Sequence, residues 1–325
     1  MSLLKGHKEN GIIQVGQKVN FTDIVQSSFF EPWGTQWYVD DEHGDDSYTG
    51  RGPSVAKATI QAAITAASED DVIYVRPVGA VTDASDFDYY PEQLTIAYAQ
   101  TNLSIIGVTK HFRNPYYGVW VRYGYTASDT GYVLTNSAPG LHMENIGFQT
   151  GDYIRTSYGA ASMAATAYAT SAGSVGFTIY NCFFRDGQLN VTGGYDSCTS
   201  NCTFKASGSA NSGWWSTSTT LPTGGHQVIN SHFGEMFADN QALRYIYCVA
   251  GAQKDMLFKG NTFGLVPADA HYMWFGGSNT GLVTDCHFQH AGVSTGTNDT
   301  SDELYSADGG IIFAAIYDGS TFIVT

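Results

Sequence analysis

Short apolar runs, each broken by a single small or polar residue, recur along the chain between residues 141 and 291. Six of these runs contain a motif in which a phenylalanine follows Asn, Gly or Asp by three positions. The motifs span Asn145–Phe148, Asn181–Phe184, Asn201–Phe204, Asn230–Phe233, Gly260–Phe263 and Asp285–Phe288. Asn, Gly and Asp tolerate the left-handed backbone conformation that other residues avoid. Each motif therefore predicts a strand, a one-residue corner and a second strand, with the phenylalanine side chain pointing inward.

The phenylalanines of successive motifs are 36, 20, 29, 30 and 25 residues apart. A unit of this length cannot bury its own apolar face, so repetition at this scale predicts a solenoid. Further short runs precede the corners, such as Phe177–Ile179 and Leu243–Val249. These runs imply three short strands in each turn of the solenoid, with equivalent residues of successive turns about 4.8 Å apart along the axis. The pattern predicts an all-β fold, a right-handed parallel β-helix solenoid.

A different periodicity appears near the N-terminus. Ile60, Ala63, Ile64 and Ala67 follow the i, i+3, i+4, i+7 spacing of an amphipathic helix. Thr59 precedes them and is a suitable N-cap. We therefore predict one short helix in this part of the chain.

Several motifs around this helix resemble the opening of a known superfamily. They are Tyr38-Val-Asp40 with a Gly/Asp loop, Thr59-Ile-Gln-Ala-Ala-Ile64, Asp71-Val-Ile-Tyr-Val75, Pro91-Glu-Gln-Leu-Thr-Ile96 and Asn102-Leu-Ser-Ile-Ile-Gly107. Together they are similar to the start of the pectate-lyase-like β-helices, by motif over residues 37–110 and by repeat over residues 130–290. The resemblance implies that the helix caps the N-terminal end of the solenoid. The superfamily contains lyases, hydrolases, esterases and non-catalytic virus proteins, so the resemblance implies a fold more than an activity.

The chain divides into four predicted segments. Residues 1–36 form an arm or attachment segment, 37–110 the capping helix and first turns, 111–291 the solenoid with loop insertions, and 292–325 a linker with apolar C-terminal strands. An apolar strand at the end of a chain aggregates unless it is covered. We therefore expect the C-terminal strand to pack on neighbouring subunits.

Composition narrows the function classes. The formal net charge is −15, and the 15 Lys and Arg residues form no basic run, so nucleic-acid binding is not expected. No run approaches the roughly 18–20 apolar residues of a membrane span, so no membrane insertion is expected. The N-terminus lacks the apolar region of a secretory signal, so we expect synthesis in a host cytoplasm.

Three of the five cysteines, Cys182, Cys202 and Cys286, occupy the same position of the repeat. This position predicts small buried side chains and favours free thiols. Cys182 and Cys202 fall on neighbouring turns, at a separation that would also permit a disulfide. Cys198 and Cys202 lack a His or a second Cys pair at zinc spacing, so neither a metal nor another cofactor is predicted.

No catalytic signature of the resembling enzymes is present in the sequence. The nearest match to the Gly-His-Gly of polygalacturonan hydrolases is Gly225-His226-Gln227, which lacks the second glycine. Candidate catalytic carboxylates are Glu235, Asp239, Asp255 and Asp269, which fall on or beside consecutive turns. Solvated turn residues are the simpler interpretation of these four.

Aromatic side chains form the other candidate site. Several aromatic residues in successive repeats could line one face of the solenoid: Trp214, Trp215, Tyr245, Tyr247 and Trp274. Flat rings suit stacking on sugar rings, and we take Trp215, Tyr245 and Trp274 as candidate glycan-binding residues. A position in the core or at a subunit interface is the alternative for each of them.

These observations favour a homotrimeric structural protein on the virion surface, a bacteriophage capsid decoration or short spike. Its predicted contacts to other subunits and virion proteins run through residues 1–36 and the C-terminal strand, and a host surface glycan is a further candidate partner. The first alternative is a tailspike-like polysaccharide depolymerase, either a glycoside hydrolase or a lyase. The second is a non-catalytic glycan-binding module. The missing signatures weigh against an enzyme.

Overall fold

The polypeptide coils into stacked turns, and each complete turn contributes one strand to each of three sheets. The computed structural model describes residues 34–78, 88–108, 118–123, 132–150, 163–165, 175–185, 189–191, 195–205, 215–217, 224–234, 244–248, 253–264, 271–276, 278–288, 304–306, 311–314, 316–318 and 321–323. The predicted arm at residues 1–36 lies almost entirely outside this set.

The strands of each sheet pair in parallel, with one exception at the C-terminal end. Sheet 1 contains β1 (Gln36–Val39), β2 (Val72–Val75), β4 (Ser104–Gly107), β7 (His142–Glu144), β10 (Thr178–Tyr180), β13 (Cys198–Ser200), β16 (Gln227–Ile229), β19 (Met256–Lys259), β22 (Gly281–Thr284) and β25 (Ile311–Ala314). Sheet 2 contains β5 (Val119–Tyr123), β8 (Ile146–Thr150), β11 (Phe183–Arg185), β14 (Thr203–Lys205), β17 (His232–Phe233), β20 (Thr262–Phe263), β23 (His287–Phe288), β26 (Ile316–Asp318) and β27 (Thr321–Ile323). Sheet 3 contains β3 (Leu94–Ile96), β6 (Leu134–Asn136), β9 (Met163–Ala165), β12 (Leu189–Val191), β15 (Trp215–Thr217), β18 (Arg244–Cys248), β21 (His271–Phe275) and β24 (Leu304–Ser306). The predicted right-handed parallel β-helix is confirmed.

Two ladders of left-handed residues shape the coil. The six predicted corners lie between sheets 1 and 2, with φ from 49° to 66°: Asn145, Asn181, Asn201, Asn230, Gly260 and Asp285. A second ladder, which the sequence analysis did not identify, lies at the entrance to sheet 1: Asp70, Asn102, Gly140, Gly176, Asp196, Gly225 and Asp255. Both ladders place Asn, Asp or Gly where a β-branched or bulky residue would be strained.

The six motif phenylalanines form a continuous stack inside the coil. Adjacent rings along the stack lie 4.7–5.5 Å apart between centroids, with interplanar angles of 3–23°. The stack is buried, and it belongs to one hydrophobic core that extends from Trp37 to Ile311. The inward orientation predicted for these side chains is therefore confirmed.

A seven-residue helix, α1 (Ile60–Ala66), packs on β1, β2 and β3, which confirms the short N-terminal helix of the prediction. Its apolar side chains Ile60, Ala63 and Ile64 are buried. The hydroxyl of Thr59 accepts a hydrogen bond from Ala62 N, as expected of an N-cap. The carboxylate of Glu92 accepts from the N–H groups of Ile60 and Gln61, both at 2.8 Å. A short 3₁₀ helix at Pro53–Val55 precedes α1. Across the described part of the chain, no helix has the length and apolar character needed to cross a membrane.

All five cysteines are free thiols. Cys182, Cys202 and Cys286 are buried just after the corners between sheets 1 and 2, at the repeat position predicted for them. Each thiol donates to the backbone carbonyl two residues earlier, at 3.3–3.4 Å from sulfur to oxygen. The thiols therefore act as small buried side chains that satisfy polar backbone groups at the corners.

The C-terminal end of sheet 2 departs from the parallel pattern. β27 pairs antiparallel with β26, with Tyr317 opposite Phe322. The chain thus reverses direction between these two strands. Sheets 1 and 3 instead end, among the described strands, in the parallel strands β25 and β24.

Candidate functional site

Two of the three candidate glycan-binding aromatics lie inside the coil. Trp215 is fully buried and packs edge-on against Phe258, with centroids 5.5 Å apart. It is the first residue of β15 and aligns with Leu189 of β12 and Ile246 of β18, which are also buried. The prediction that Trp215 contacts a glycan is therefore wrong, because its position in the strand faces the core.

Tyr245 is likewise buried, and its hydroxyl donates a hydrogen bond to the carbonyl of Gly234 at 2.6 Å. Its ring contacts Phe233 and Tyr272, with centroids 5.9 Å apart in each case. Both the ring and the hydroxyl are thus engaged inside the protein. The glycan-binding role predicted for Tyr245 is also wrong, since the residue packs in the corner between sheets 2 and 3.

Trp274 lies on the outer face of sheet 3, together with Tyr247. The strand register places Tyr247 of β18 beside Trp274 of β21, and their ring centroids are 4.9 Å apart at an interplanar angle of 35°. Both side chains are partly exposed, whereas Ile246 and Cys248 on either side of Tyr247 are buried. The next position in register is Tyr305 of β24. We call Tyr247 and Trp274 the sheet 3 aromatic pair.

None of the described strands of sheet 3, which surround the sheet 3 aromatic pair, contains an acidic residue. The positions that align with the pair along sheet 3 are polar or small: Thr95, Thr135, Ala164, Asn190 and Ser216. The sheet 3 aromatic pair presents rings in two successive turns, which suits an extended ligand with apolar faces and hydroxyl groups.

Of the four candidate carboxylates, only Asp255 lies within the described residues. It is exposed and belongs to the second ladder of left-handed corners, with φ of 56°, and its N–H donates to Thr280 Oγ1. The left-handed backbone conformation at this position, which aspartate tolerates, is therefore sufficient to explain why an aspartate occurs there. Glu235, Asp239 and Asp269 lie outside the described residues, in the connections that lead into β18 and β21. Their catalytic role stays a prediction.

One group of potential metal ligands occurs among the described residues. Asp40, Glu42 and His43 place one ligand atom each within 4.8 Å of one another. The guanidinium of Arg76 already pairs with this group, at 2.6 Å from Asp40 Oδ2 and 3.2 Å from Glu42 Oε2. Burial by itself would raise the pKa of Asp40, but the hydrogen bond and charge of Arg76 lower it below its ordinary value. The group is therefore an ion-pair cluster that already contains its cation.

His226 is a core residue that the sequence pattern did not predict. His226 is fully buried, and its Nδ1 lies 2.7 Å from Ser197 Oγ. Burial lowers the pKa of His226 to about 4, so the ring is neutral at pH 7. Its Nε2 has no hydrogen-bond partner among the residues that the structure describes. In the sequence, His226 is marked only by its place just before the short run that becomes β16, which does not distinguish a buried histidine from an exposed one.

The chain resembles solved β-helix structures at low sequence identity. The pectin methylesterase from Aspergillus niger in deglycosylated form is 16% identical, with a TM-score of 0.52 over 89% of this chain and 87% of that chain. The pectin methylesterase from carrot is 12% identical, with a TM-score of 0.54 over 89% of this chain and 85% of that chain. No protein-family model and no curated protein matches the sequence. At these identities the likeness establishes only the architecture of the chain, which is a right-handed parallel β-helix.

Proposed function

We propose that this protein binds a polysaccharide along the outer face of sheet 3. The observation that carries the proposal is the partly exposed sheet 3 aromatic pair, with its rings 4.9 Å apart in successive turns. Aromatic faces stack on the apolar C–H faces of sugars, and the phenolic and indole donors reach sugar hydroxyls. A glycan that runs along the solenoid axis would meet one ring in each of two turns.

The fold comparison supports a carbohydrate as the ligand class to test. Both β-helix proteins described above are named as pectin methylesterases, and pectin is a polysaccharide. Binding without cleavage is the form of the proposal, since hydrolysis requires two carboxylates that flank the scissile bond. No described strand of sheet 3 supplies one. A depolymerase would have to recruit Glu235, Asp239 or Asp269 from the adjoining connections.

Binding of the full-length chain to a panel of soluble polysaccharides tests the proposal by calorimetry. Trp274→Ala should weaken binding about tenfold, which corresponds to about 1.4 kcal/mol, and Trp274→Phe should retain most of the affinity. Tyr180→Ala is the matched control, because it removes an exposed tyrosine from the outer face of sheet 1. Equal losses in Trp274→Ala and Tyr180→Ala, or no binding to any polysaccharide, would reject the proposal.

The same mixtures separate binding from cleavage. New reducing ends or unsaturated uronates would make the protein a depolymerase and overturn the non-catalytic form of the proposal. Replacement of Glu235, Asp239 or Asp269 by the corresponding amide would then identify the carboxylate required. Unchanged polymer length alongside retained affinity supports a binding module.

The homotrimeric structural protein of a virus particle is our second candidate function. Leu257, Leu282 and Ile312 align on the outer face of sheet 1 in three successive turns, and Ile312 is 63% exposed. Such an apolar row favours packing against another copy of the chain. Analytical ultracentrifugation should find a trimer that Ile312→Glu dissociates and Thr284→Glu, on the neighbouring row, leaves intact. A monomeric wild-type chain would reject this candidate.

A further inference from the structure

The core of the coil contains polar side chains in two neighbouring turns. Ser197 and Thr199 are buried on the inner side of sheet 1 in one turn, and His226 is buried on the same side in the next. The register pairs Thr199 of β13 with Val228 of β16, and His226 lies two residues before Val228. Because paired strands of successive turns are about 4.8 Å apart, the three polar side chains are neighbours inside the coil.

Some polar atoms of this region lack a partner. In the described part of the chain, Thr199 Oγ1, Trp215 Nε1 and His226 Nε2 are buried and accept or donate no hydrogen bond. Trp215 packs against His226, with ring centroids 6.1 Å apart at an interplanar angle of 67°. His226 Nδ1, in contrast, is paired with Ser197 Oγ at 2.7 Å. A buried donor or acceptor that stays unpaired destabilises a fold, so native proteins satisfy almost all such atoms with protein groups or with water.

The side chains of sheet 1 also become smaller at this point. The inward residues of the preceding turn are Phe177 and Ile179. The equivalent residues of the next turn are Ser197 and Thr199. Two large-to-small changes at adjacent positions leave space that close-packed neighbouring turns do not fill completely. Space beside several polar atoms holds water, whereas the cavities that stay empty in native cores are apolar.

We propose that a buried water molecule binds inside the coil between Thr199, Trp215 and His226. The indole N–H of Trp215 is a donor only, so it donates to the water oxygen, and the water donates to Thr199 Oγ1. His226 Nε2 is the third partner, and the tautomer that Ser197 selects at Nδ1 determines whether Nε2 donates or accepts. Three partners are typical of a structural water. The site lies in the core and does not depend on the function proposed for the sheet 3 aromatic pair.

A high-resolution crystal structure of the full-length chain tests the site directly. It should show ordered density for a water about 2.7–3.2 Å from both Trp215 Nε1 and His226 Nε2. This water should be present in every copy of the chain in the crystal, because its partners all belong to the core.

The variant Thr199→Val gives a second measurement, since the two side chains have nearly the same shape. If the hydroxyl is bonded to water, its loss should reduce the equilibrium constant for folding about fivefold in urea denaturation, which corresponds to about 1 kcal/mol. An unpaired hydroxyl would give the opposite sign, because valine would then remove a buried polar group that has no partner. The matched control is Thr178→Val, the same change at a partly exposed position of β10 in the preceding turn. It should stay within about twofold of the wild-type constant.

Ordered water density together with a destabilised Thr199→Val variant supports the proposal. Core density without a water at this position overturns it. A Thr199→Val variant that is at least as stable as wild type, or that loses no more stability than Thr178→Val, overturns it as well.

Discussion

At the corner between sheets 1 and 2, Asn181 combines a backbone role with a side-chain role. Its φ of 51° lies in the left-handed region. Its side-chain amide donates to Asn145 Oδ1, 2.6 Å away in the preceding turn. The residue type at the corner is thus restricted by conformation, and asparagine adds a hydrogen bond that glycine lacks.

Two substitutions separate these roles. Asn181→Gly keeps the conformation and loses the amide contact, so the free energy of unfolding should fall by about 0.5–1.5 kcal/mol. Asn181→Ala also places an alanine in the left-handed region, which costs a further 1–2 kcal/mol or so. Urea denaturation followed by circular dichroism measures both. Equal stability of the two variants would contradict the conformational role of the corner.

His226 makes the stability of the fold depend on pH. The folded-state pKa of about 4 lies below the ordinary value of 6.5 because burial disfavours the charged ring. The unfolded chain therefore binds a proton more tightly, and the stability associated with neutral His226 is present above pH 6.5 and lost as the pH falls toward 4. The full loss is about 3 kcal/mol.

Thermal unfolding of wild type and His226→Gln between pH 7 and pH 4 measures this contribution. The melting temperature of the variant should fall less steeply over that range. His287→Gln, which removes an exposed imidazole, is the control and should keep the wild-type slope. A His226→Gln slope identical to that of wild type would exclude His226 as the origin of the acid sensitivity.

The phenylalanine stack is the element that ties one turn to the next. Phe204 is fully buried between Phe184 and Phe233, with both neighbouring ring centroids at 4.7 Å. Removal of such a ring leaves a cavity that rigid turns above and below cannot fill. The stack therefore contributes both buried area and alignment of successive turns.

Phe204→Ala should reduce the free energy of unfolding by about 3–5 kcal/mol, the range for a buried Phe→Ala change. Thr203→Ala changes the adjacent residue of β14, which faces outward, and should cost no more than about 0.5 kcal/mol. Chemical denaturation of both variants gives the comparison. Similar losses would mean that the strand, and not the stack, is the stabilising element.

These elements are predictable from the sequence only where their residues lie at a constant spacing from a recognisable residue type. Each corner between sheets 1 and 2 is followed three residues later by an inward phenylalanine. The position of the corner and the direction of the phenylalanine were therefore both predictable from the sequence. The second ladder has a less uniform reference, because the buried residue three positions after its members varies in type, as in Ile73, Thr199 and Phe258.

The same reasoning explains the outcome for the aromatic residues. Tyr245 and Ile246 are consecutive and both buried, since β18 begins at the corner between sheets 2 and 3, and this breaks the alternation that sequence reasoning assumes. Trp215 could have been assigned to the core only from its alignment with Leu189, which requires the register. The outward orientation of Tyr247 and Trp274 could likewise be assigned only from the strand register.

Across the whole molecule, one core encloses cysteines from several turns. Cys182, Cys202, Cys248 and Cys286 are buried, and burial raises the pKa of each thiol, to about 12 for Cys182. Cys198 is the one cysteine of the five that is partly exposed; partial burial raises the pKa of its thiol too, so its exposure is what distinguishes it from the other four. Thiolates are the reactive species, so exposure and pKa together determine reactivity.

Titration of the native protein with a disulfide reagent should therefore modify Cys198 rapidly and the other four thiols only on unfolding. A Cys198→Ser variant should show no rapid phase. In urea, the four protected thiols should become reactive over the range in which the β-sheet circular dichroism signal is lost. Early reaction of one of them would indicate that its turn opens before the rest of the coil.

The strand β27 has a consequence for how copies of the molecule can join end to end. A parallel coil presents the same chain direction at both ends of each sheet, so an exposed end invites another molecule to continue it. Because β27 runs against β26, a newcomer on that side would meet a strand of reversed polarity. A strand that continued the coil along sheet 2 would therefore pair antiparallel with β27, so the parallel ladder of that sheet cannot be extended by simple addition of another coil.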